Sequence, residues 1–324
     1  VGNILFGWLS DVSRNRRAWI AGGLMLSCLL LLGFTWVERF EALIGLILLW
    51  QLSLNMMLAP LGAWAGDCIP DHQKGMLGGL LAFSPALGAF SAAVITIPGL
   101  AGEETRLWIV VAMVCMCVLP VLFFGAPTKF SELRPVSDSH TDRPESAGRA
   151  RQMVVRMWTA RLLVQISEAA LFAYLYFWFR SIDPALGDST TARIFSVVLI
   201  AAIPVAIITG RWADRNDRPI LPLAICAGFS SIGLIGMALS SSLFSAIGGY
   251  VLFGLAGTVF LSLHTGQTLR VLPKPERRGR DLGLFNLTNT TPSLVMPWIV
   301  LALVPVFGFP ILLGLLAVFA LAAC

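Results

Sequence analysis

Residues 210 to 219 read GRWADRNDRP and place five charged side chains inside an otherwise apolar part of the chain. A related stretch, GWLSDVSRNRR, begins 203 residues earlier at Gly7. Both stretches share the pattern Gly-x-x-x-Asp followed by a cluster of basic residues. Self-similarity at a fixed offset indicates an internal duplication.

The sequence on either side of these charged stretches is typical of a polytopic membrane protein. Hydrophobic residues make up 57% of the 324 residues and charged residues 13%, with a mean hydropathy of +0.81. Soluble domains have about 45–50% apolar and about 25% charged residues. The apolar residues form runs of about twenty, the length of a helix that crosses a hydrocarbon core of about 30 Å. They lack the alternation of a membrane β-barrel, so the predicted fold class is an all-α polytopic membrane protein.

Ten complete transmembrane spans are predicted, at about 18–37, 41–64, 76–98, 107–126, 157–179, 190–210, 219–239, 243–263, 282–305 and 307–324. The loops between them alternate between two sides of the membrane. Eighteen of the 23 Lys and Arg residues fall on one side, four on the other, and Arg161 lies within a span. Because positive loops stay in the cytoplasm, this predicts a multi-pass protein of the cell membrane with its basic loops and linker cytoplasmic. The net charge of +5 then reports topology, not nucleic-acid binding.

A second pair of segments repeats with the same offset. DCIPDHQKGMLG and RVLPKPERRGRDLG place Pro70 and Pro273 203 residues apart. We therefore predict an N-terminal bundle over residues 1–126, a polar cytoplasmic linker over 127–156 and a C-terminal bundle over 157–324.

The two halves differ in how much sequence precedes their charged loops. In the second half the loop follows residues 157–209, and in the first half it follows residues 1–6. We expect the first half to lack one span and most of another, relative to a protein of twelve helices.

These features resemble the major facilitator superfamily of transporters. The resemblance is carried by the doubled Gly-x-x-x-Asp loop and by two six-span halves joined by a basic loop. The segments APLGAWAGDCIPDHQKGMLGG and VLPKPERRGRDLGLFNLTNTTPSLVMP are similar to the glycoside and sucrose branches, whose members include cation-coupled sugar symporters. The resemblance implies a two-bundle fold and a secondary transporter that works by alternating access.

The two charged loops are predicted to act as a gate. Each Asp follows the end of a span, where its carboxylate can meet the positive N-terminus of a neighbouring helix and the loop arginines. A contact formed in only one transport state would bias the conformational equilibrium. The alternative is that these charges only set the topology. The gating candidates are Gly7, Asp11, Arg14, Arg17, Gly210, Asp214, Arg215 and Arg218.

Glu168 is the predicted coupling residue because it lies near the middle of the span that starts at about residue 157. A carboxylate at that depth costs about 2.5–3.5 kcal/mol on insertion scales, so it is expected to face a partner or an aqueous cavity. Arg161 is the second coupling candidate, and it shares one helical face with Gln165 and Glu168. Glu168 either carries a coupling proton or binds a substrate hydroxyl, or it makes a structural hydrogen bond or ion pair, for example with Arg161.

Further polar residues inside spans are candidates for a substrate cavity. Amides supply the donors and acceptors that sugar hydroxyls need, and aromatic rings pack on sugar C–H faces. The alternative is hydrogen bonding between helices. The cavity candidates are Trp50, Gln51 and Asn55 in the first half, and Gln165, Asn286, Asn289 and Ser293 in the second.

The sequence as a whole predicts a transporter with no covalent chemistry, cofactor or metal. No phosphate-binding loop or H-E-x-x-H pair occurs in it. The expected partners are a small polar solute, a sugar or glycoside, a coupling proton and the lipid bilayer. Two alternatives stay open: a proton-driven drug or metabolite exporter, and a membrane assembly or scaffold protein that kept the fold without transport.

Overall fold

The computed structural model describes residues 2–95, 102–125, 144–272 and 277–324. The secondary structure in these ranges is helical. In chain order the α-helices are α1 Gly2–Ser13, α2 Arg16–Gly33, α3 Phe40–Cys68, α4 Lys74–Leu81, α5 Phe83–Ile95, α6 Glu103–Phe124, α7 Pro144–Ile182, α8 Asp188–Arg215, α9 Leu221–Ala238, α10 Leu243–Val271 and α11 Arg278–Ala322.

In the described part of the chain, nine helical segments are long and apolar enough to cross a membrane. The count is one below the ten predicted spans because α11 runs through the last two of them. Gly308 breaks the helical conformation inside α11, with φ of 77°. A positive φ is readily adopted by glycine and strained for other residues. The break separates 278–307 from 309–322, which agrees closely with the predicted boundary between 305 and 307.

Helix α7 begins earlier than the sequence predicts. It starts at Pro144, whereas the predicted span starts at about residue 157. Proline is favoured in the first turn of a helix, where its missing N–H is not needed. Residues 144–156 of the predicted linker are therefore helical, and residues 127–143 lie outside the described ranges.

Large apolar side chains cover much of the described surface. Phe124 and Phe244 are each 89% exposed, and Trp36, Leu239 and Trp298 are more than 70% exposed. A water-soluble monomer rarely exposes such extensive apolar surface. With the lengths of the helices, this surface identifies a multi-pass membrane protein whose outer face contacts lipid.

Contacts between Cα atoms group the chain into two compact units. Unit 1 consists of Val1–Pro70, Gly88–Asp142 and Leu272–Asn286, and unit 2 of Asp71–Leu87, Arg143–Val271 and Leu287–Cys324. Each unit therefore takes helices from both sequence repeats. The predicted division into residues 1–126 and 157–324 groups the helices by repeat and stays a prediction.

Each unit has its own apolar core. In unit 1, Ile20 and Leu24 of α2 pack with Met57 and Trp64 of α3 and with Val118 of α6. Unit 2 has a larger core, in which residues of α7, α9, α10 and the second part of α11 surround fully buried side chains such as Phe179, Leu234 and Leu316. These cores fix the helices that carry the polar residues described below.

The duplication is visible in the backbone of the charged loops. Among the described residues, only Arg14 and Asp217 are non-glycine residues with positive φ, at 52° and 48°. Their positions are related by the offset of the sequence repeat. In the second copy, the N–H of Arg218 donates to the carbonyl of Ala213 at 3.1 Å, which closes the end of α8 in a Schellman arrangement.

Candidate functional site

Asp11 of unit 1 caps the start of a helix that is distant in the sequence. Its carboxylate accepts hydrogen bonds from the backbone N–H groups of Gly279 at 3.1 Å and Arg280 at 3.0 Å, in the first turn of α11. These N–H groups have no partner within their own helix and carry the positive end of its dipole. Burial raises the pKa of the Asp11 carboxyl above its ordinary value, and the two amides and Arg16 oppose this shift.

Asp214 of unit 2 makes the same kind of contact. It accepts hydrogen bonds from the backbone N–H groups of Gly75 at 2.9 Å and Met76 at 2.8 Å, in the first turn of α4. Gly279 and Arg280 follow Gly75 and Met76 by 204 residues, which is the repeat offset of 203 residues plus one residue inserted in the second copy. Each Asp thus comes from one sequence repeat and caps a helix of the other repeat.

Two close crossings of backbone accompany these contacts. A Cβ atom on Gly7 would overlap the carbonyl oxygen of Gly279, and a Cβ atom on Gly210 would overlap that of Gly75. Only glycine lets the two helices approach so closely, as in small-residue helix packing in membranes. The Gly of each Gly-x-x-x-Asp loop therefore permits the approach, and the Asp one turn later caps the helix that has approached.

A buried charge network supports the Asp11 contact. Arg16, 1% exposed, bonds Asp11 at 3.1 Å and Asp67 at 2.7 Å. Arg278, at the start of α11, forms a second salt bridge with Asp67, whose side chain is fully buried. Buried charges need such multiple partners to offset their desolvation. The network ties the C-terminal end of α3 to the starts of α2 and α11.

Asp67 is a member of this network that the sequence reasoning missed as a site residue. One signal was available, because a carboxylate at the C-terminal end of a helix opposes the helix dipole and requires nearby cations. The corresponding residue of the second repeat is Arg270, whose guanidinium lies 3.6 Å from Asp214 and donates to the backbone carbonyl of Asp71. The two copies thus use opposite charges at the same position.

The remaining gating candidates lie around these contacts. Arg17 donates to the carbonyl of Gly125 and lies 5.3 Å from the centre of the Trp64 ring. Arg14, Arg215 and Arg218 are exposed. Within the described ranges, none of these three arginines forms a salt bridge. Instead, Asp11 forms a salt bridge with Arg16, and Asp214 forms one with Arg270.

Arg161 of α7 connects three helices of unit 2. Its guanidinium donates to the carbonyl of Leu261 at 3.3 Å and to Thr265 at 3.0 Å on α10, and to the side-chain oxygen of Asn289 at 3.3 Å on α11. It also lies 3.4 Å from Nδ1 of His264. The structure thus brings together two predicted site residues, Arg161 and Asn289.

His264 is fixed as a neutral ring by its partners. Its Nε2 lies 3.0 Å from the carbonyl oxygen of Met157, which can only accept, so Nε2 carries the hydrogen. Nδ1 is then the acceptor for the Arg161 guanidinium at 3.4 Å. It also lies 3.1 Å from the Thr268 hydroxyl, which donates to the carbonyl of His264 at 2.9 Å. At 1% exposure, His264 serves as a structural link between α7 and α10.

Glu168 lies two turns beyond Arg161 on α7. It is half-buried, and its Oε2 atom is buried without a hydrogen-bond partner among the described residues. A Cβ atom on Gly257 of α10 would lie 3.2 Å from this oxygen, so the absence of a side chain there leaves room beside the carboxylate. Within the described chain, Arg161 bonds α10 and α11 and forms no salt bridge with Glu168. Gln165, between them, is half-buried.

The other cavity candidates lie on α3 and α11. In unit 1, Asn55 donates to the carbonyl of Gln51 at 2.6 Å within α3, Gln51 is exposed, and the Trp50 ring packs edge-on against Phe34. Asn286 is half-buried, whereas Asn289 and Ser293 are exposed.

In the described part of the chain, no group of three or more His, Cys, Asp or Glu side chains is arranged so that it could hold a metal ion.

Solved structures share this fold across nearly the whole chain. The human organic anion transporter MFSD10 (TETRAN) matches with a TM-score of 0.77 and 16% identity, over 99% of this chain and 80% of its own. The E. coli fucose:proton symporter FucP matches with a TM-score of 0.75 and 14% identity, over 100% and 85%. A bacterial homologue of the iron transporter ferroportin, in an outward-facing state, matches with a TM-score of 0.65 and 16% identity, over 99% and 85%.

The sequence comparisons give the family. No curated protein matches the sequence significantly. A sequence model described as the Major Facilitator Superfamily matches residues 1–257, well over half of the chain. With the duplicated Asp-capped crossings and the shared fold, this match shows that the chain belongs to the Major Facilitator Superfamily.

Proposed function

We propose that this protein is a secondary active transporter that moves a small polar solute, a sugar or glycoside, together with protons. The observation that carries the proposal is the pair of reciprocal contacts in which Asp11 and Asp214 cap helices of the opposite repeat. A motion that moves the repeats apart at Asp11 breaks the first contact, and one that moves them apart at Asp214 breaks the second. They are therefore the kind of contact that distinguishes one transport state from another.

The strength of these contacts suits a conformational gate. A carboxylate that caps a helix contributes about 0.5–2 kcal/mol, and its interaction with the helix dipole adds up to about 2 kcal/mol in buried geometry. Two such contacts bias the equilibrium between transport states by a few kcal/mol. States separated by a few kcal/mol exchange readily when a ligand binds one of them better. In the cell membrane the gate would lie on the cytoplasmic side, with the basic loops.

The proton-coupling role is proposed for Glu168. Its Oε2 has no hydrogen-bond partner among the described residues, so the carboxylate is free to exchange a proton or to bind a substrate hydroxyl. The structural similarity to a fucose:proton symporter supports a sugar as the solute. The side chains proposed to bind it are those of Trp50, Gln51, Asn55, Gln165, Asn286, Asn289 and Ser293.

Uptake into proteoliposomes tests the proposal directly. Purified protein is reconstituted, and the uptake of a panel of labelled sugars and glycosides is followed with and without an imposed pH gradient. We expect at least one sugar to accumulate above its external concentration only when the gradient is present, and a protonophore to abolish that accumulation. No uptake across the panel would overturn the sugar assignment. Proton-driven movement of organic anions or drugs in the same vesicles would instead identify an exporter, and no transport of any solute would favour a scaffold.

A further inference from the structure

An apolar cavity of about 400 Å³ lies between α8, α9 and α10 in unit 2. Each helix contributes one stripe of side chains to its wall. The α8 stripe is Val205, Thr209 and Trp212, at spacings of four and three residues, and the other two helices contribute Pro222 to Phe229 and Leu252 to Val259 with the same periodicity. The wall is almost entirely hydrocarbon, so a polar solute would lose its hydrogen bonds there.

The cavity opens on the outer surface of the unit. Val205, Trp212, Ile225 and Phe229 line it and are each more than two-fifths exposed. In a membrane-spanning helix bundle, such a surface faces lipid. The occupant that matches a lipid-facing hydrocarbon cleft is a hydrocarbon chain.

The corresponding position of the first repeat is filled by aromatic rings. The offset of the sequence repeat pairs Thr209 with Phe6 and Pro222 with Trp19. The rings of Phe6 and Trp19 pack together with their centres 5.9 Å apart. The second repeat has two smaller residues in place of this pair, which leaves room between α8 and α9.

Positive charge lies at one end of the cavity. Val205 and Trp212 are seven residues apart, so the cleft follows α8 for about 10 Å. Arg215 follows Trp212 by three residues on the same face of α8, and it is exposed, as is Arg218 in the loop beyond it. The N-terminus of α9 begins at Leu221, and its partial positive charge also favours an anion. Tryptophan is typical of the boundary between headgroups and acyl chains.

We propose that this cleft binds an anionic phospholipid, with one acyl chain between α8, α9 and α10 and the headgroup phosphate beside Arg215 and Arg218. The inference is independent of the transported solute. It makes the loop of the second Gly-x-x-x-Asp motif a lipid contact as well as part of the Asp214 contact.

Quenching of tryptophan fluorescence tests the proposal. The full chain is reconstituted with a small, equal mole fraction of either brominated phosphatidylglycerol or brominated phosphatidylcholine in unlabelled phosphatidylcholine. The chain has ten tryptophans, so the emission of Trp212 is isolated by subtracting the spectrum of Trp212→Phe. We expect the brominated phosphatidylglycerol to quench Trp212 roughly fivefold more effectively, the effect of about one cation near an anionic lipid. Arg215→Gln should remove most of this preference.

A second experiment fills the cleft with larger side chains. Thr209→Phe introduces the residue type that the first repeat has at this position, and it should abolish preferential quenching. Ile232→Phe is the matched control, since Ile232 lies on the exposed face of α9 and does not line the cavity. Thr209→Leu is a milder filling variant if Thr209→Phe does not purify as a folded protein. Equal quenching by the two lipids, no quenching by either, or preference that survives both Thr209 variants would overturn the proposal.

Discussion

Glu168 combines intramembrane depth with a carboxylate oxygen that has no hydrogen-bond partner among the described residues. A purely structural carboxylate at such a depth is expected to bond a cation or a donor, because an uncompensated buried charge is costly. Arg161 could have been that cation, yet its hydrogen bonds go to α10 and α11. Arg161 therefore links helices, whereas Glu168 is the residue that we propose for proton exchange.

Glu168→Gln is expected to abolish pH-driven accumulation while leaving exchange of solute across the membrane intact. The amide keeps the size of the side chain but cannot take up a proton. Counterflow of labelled solute against unlabelled solute measures exchange in the absence of a gradient, and uptake under a pH gradient measures coupling. Folding is checked by gel filtration. Accumulation at the wild-type level would show that Glu168 has no essential protonation role.

Asp217 adopts a left-handed conformation, with φ of 48°, that side chains with a Cβ atom disfavour. Asp217→Gly should raise the stability of the folded protein by roughly 0.5–1 kcal/mol, because glycine adopts this conformation without steric strain. Asp217→Val should lower it by about as much or more. Thermal unfolding in detergent measures both variants. If valine is as stable as glycine, the left-handed turn does not exist in the protein.

The sequence predicted the helical elements well because apolar runs of about twenty residues have few other solutions in a membrane. Its errors have two causes, one local and one non-local. The start of α7 was missed because residues 144–156 are polar and lack the hydropathy signal, although they continue the helix. The role of Asp67 was missed because its partners Arg16 and Arg278 are distant in the sequence, and Arg278 lies in the other repeat. Repeats show that two segments are alike, but they do not show which helix each segment contacts.

The close crossings of α8 with α4 and of α1 with α11 predict that single glycines are essential to them. Gly210→Ala should destabilise the protein by about 1–3 kcal/mol, the usual range for overpacking, since its Cβ would overlap the backbone of Gly75. Gly248→Ala is the control, because a Cβ at this exposed position of α10 meets nothing within 4 Å. The control should be neutral or stabilising, as alanine is the better helix former. Thermal unfolding of both variants decides the matter, and equal unfolding temperatures would contradict the close crossing.

At the scale of the whole molecule, the duplicated contacts raise the question of whether they open together. Asp11 caps Gly279 and Arg280, and Asp214 caps Gly75 and Met76, so the two clusters share no residue. If each carboxylate only satisfies its own helix, the loss of one leaves the other unchanged. If both contacts close one gate, the loss of one contact shifts the equilibrium between the open and closed forms of the other contact. The sequence repeat alone cannot distinguish these cases.

Hydrogen exchange at the capped amides distinguishes local capping from a common gate. Asp11→Asn removes the charge that interacts with the helix dipole and one of the two acceptor oxygens, at a cost of about 1 kcal/mol, which corresponds to roughly fivefold faster exchange at Gly279 and Arg280. A common gate requires faster exchange also at Gly75 and Met76, which Asp11 does not touch. Mass spectrometry of peptides that cover the first turns of α4 and α11 reads out both sites.

The reciprocal variant and a control complete this test. Asp214→Asn should accelerate exchange in the first turn of α11 as well as in that of α4. Asp183→Asn is the control, because Asp183 accepts a hydrogen bond from the backbone of Ala185 within its own loop and should alter neither site. Acceleration confined to the helix whose own cap is removed would mean two independent caps, and the alternating-access role of the duplicated loops would then be wrong. Acceleration at both helices in both variants requires one motion that breaks both contacts, which is the property that a gate between two transport states must have.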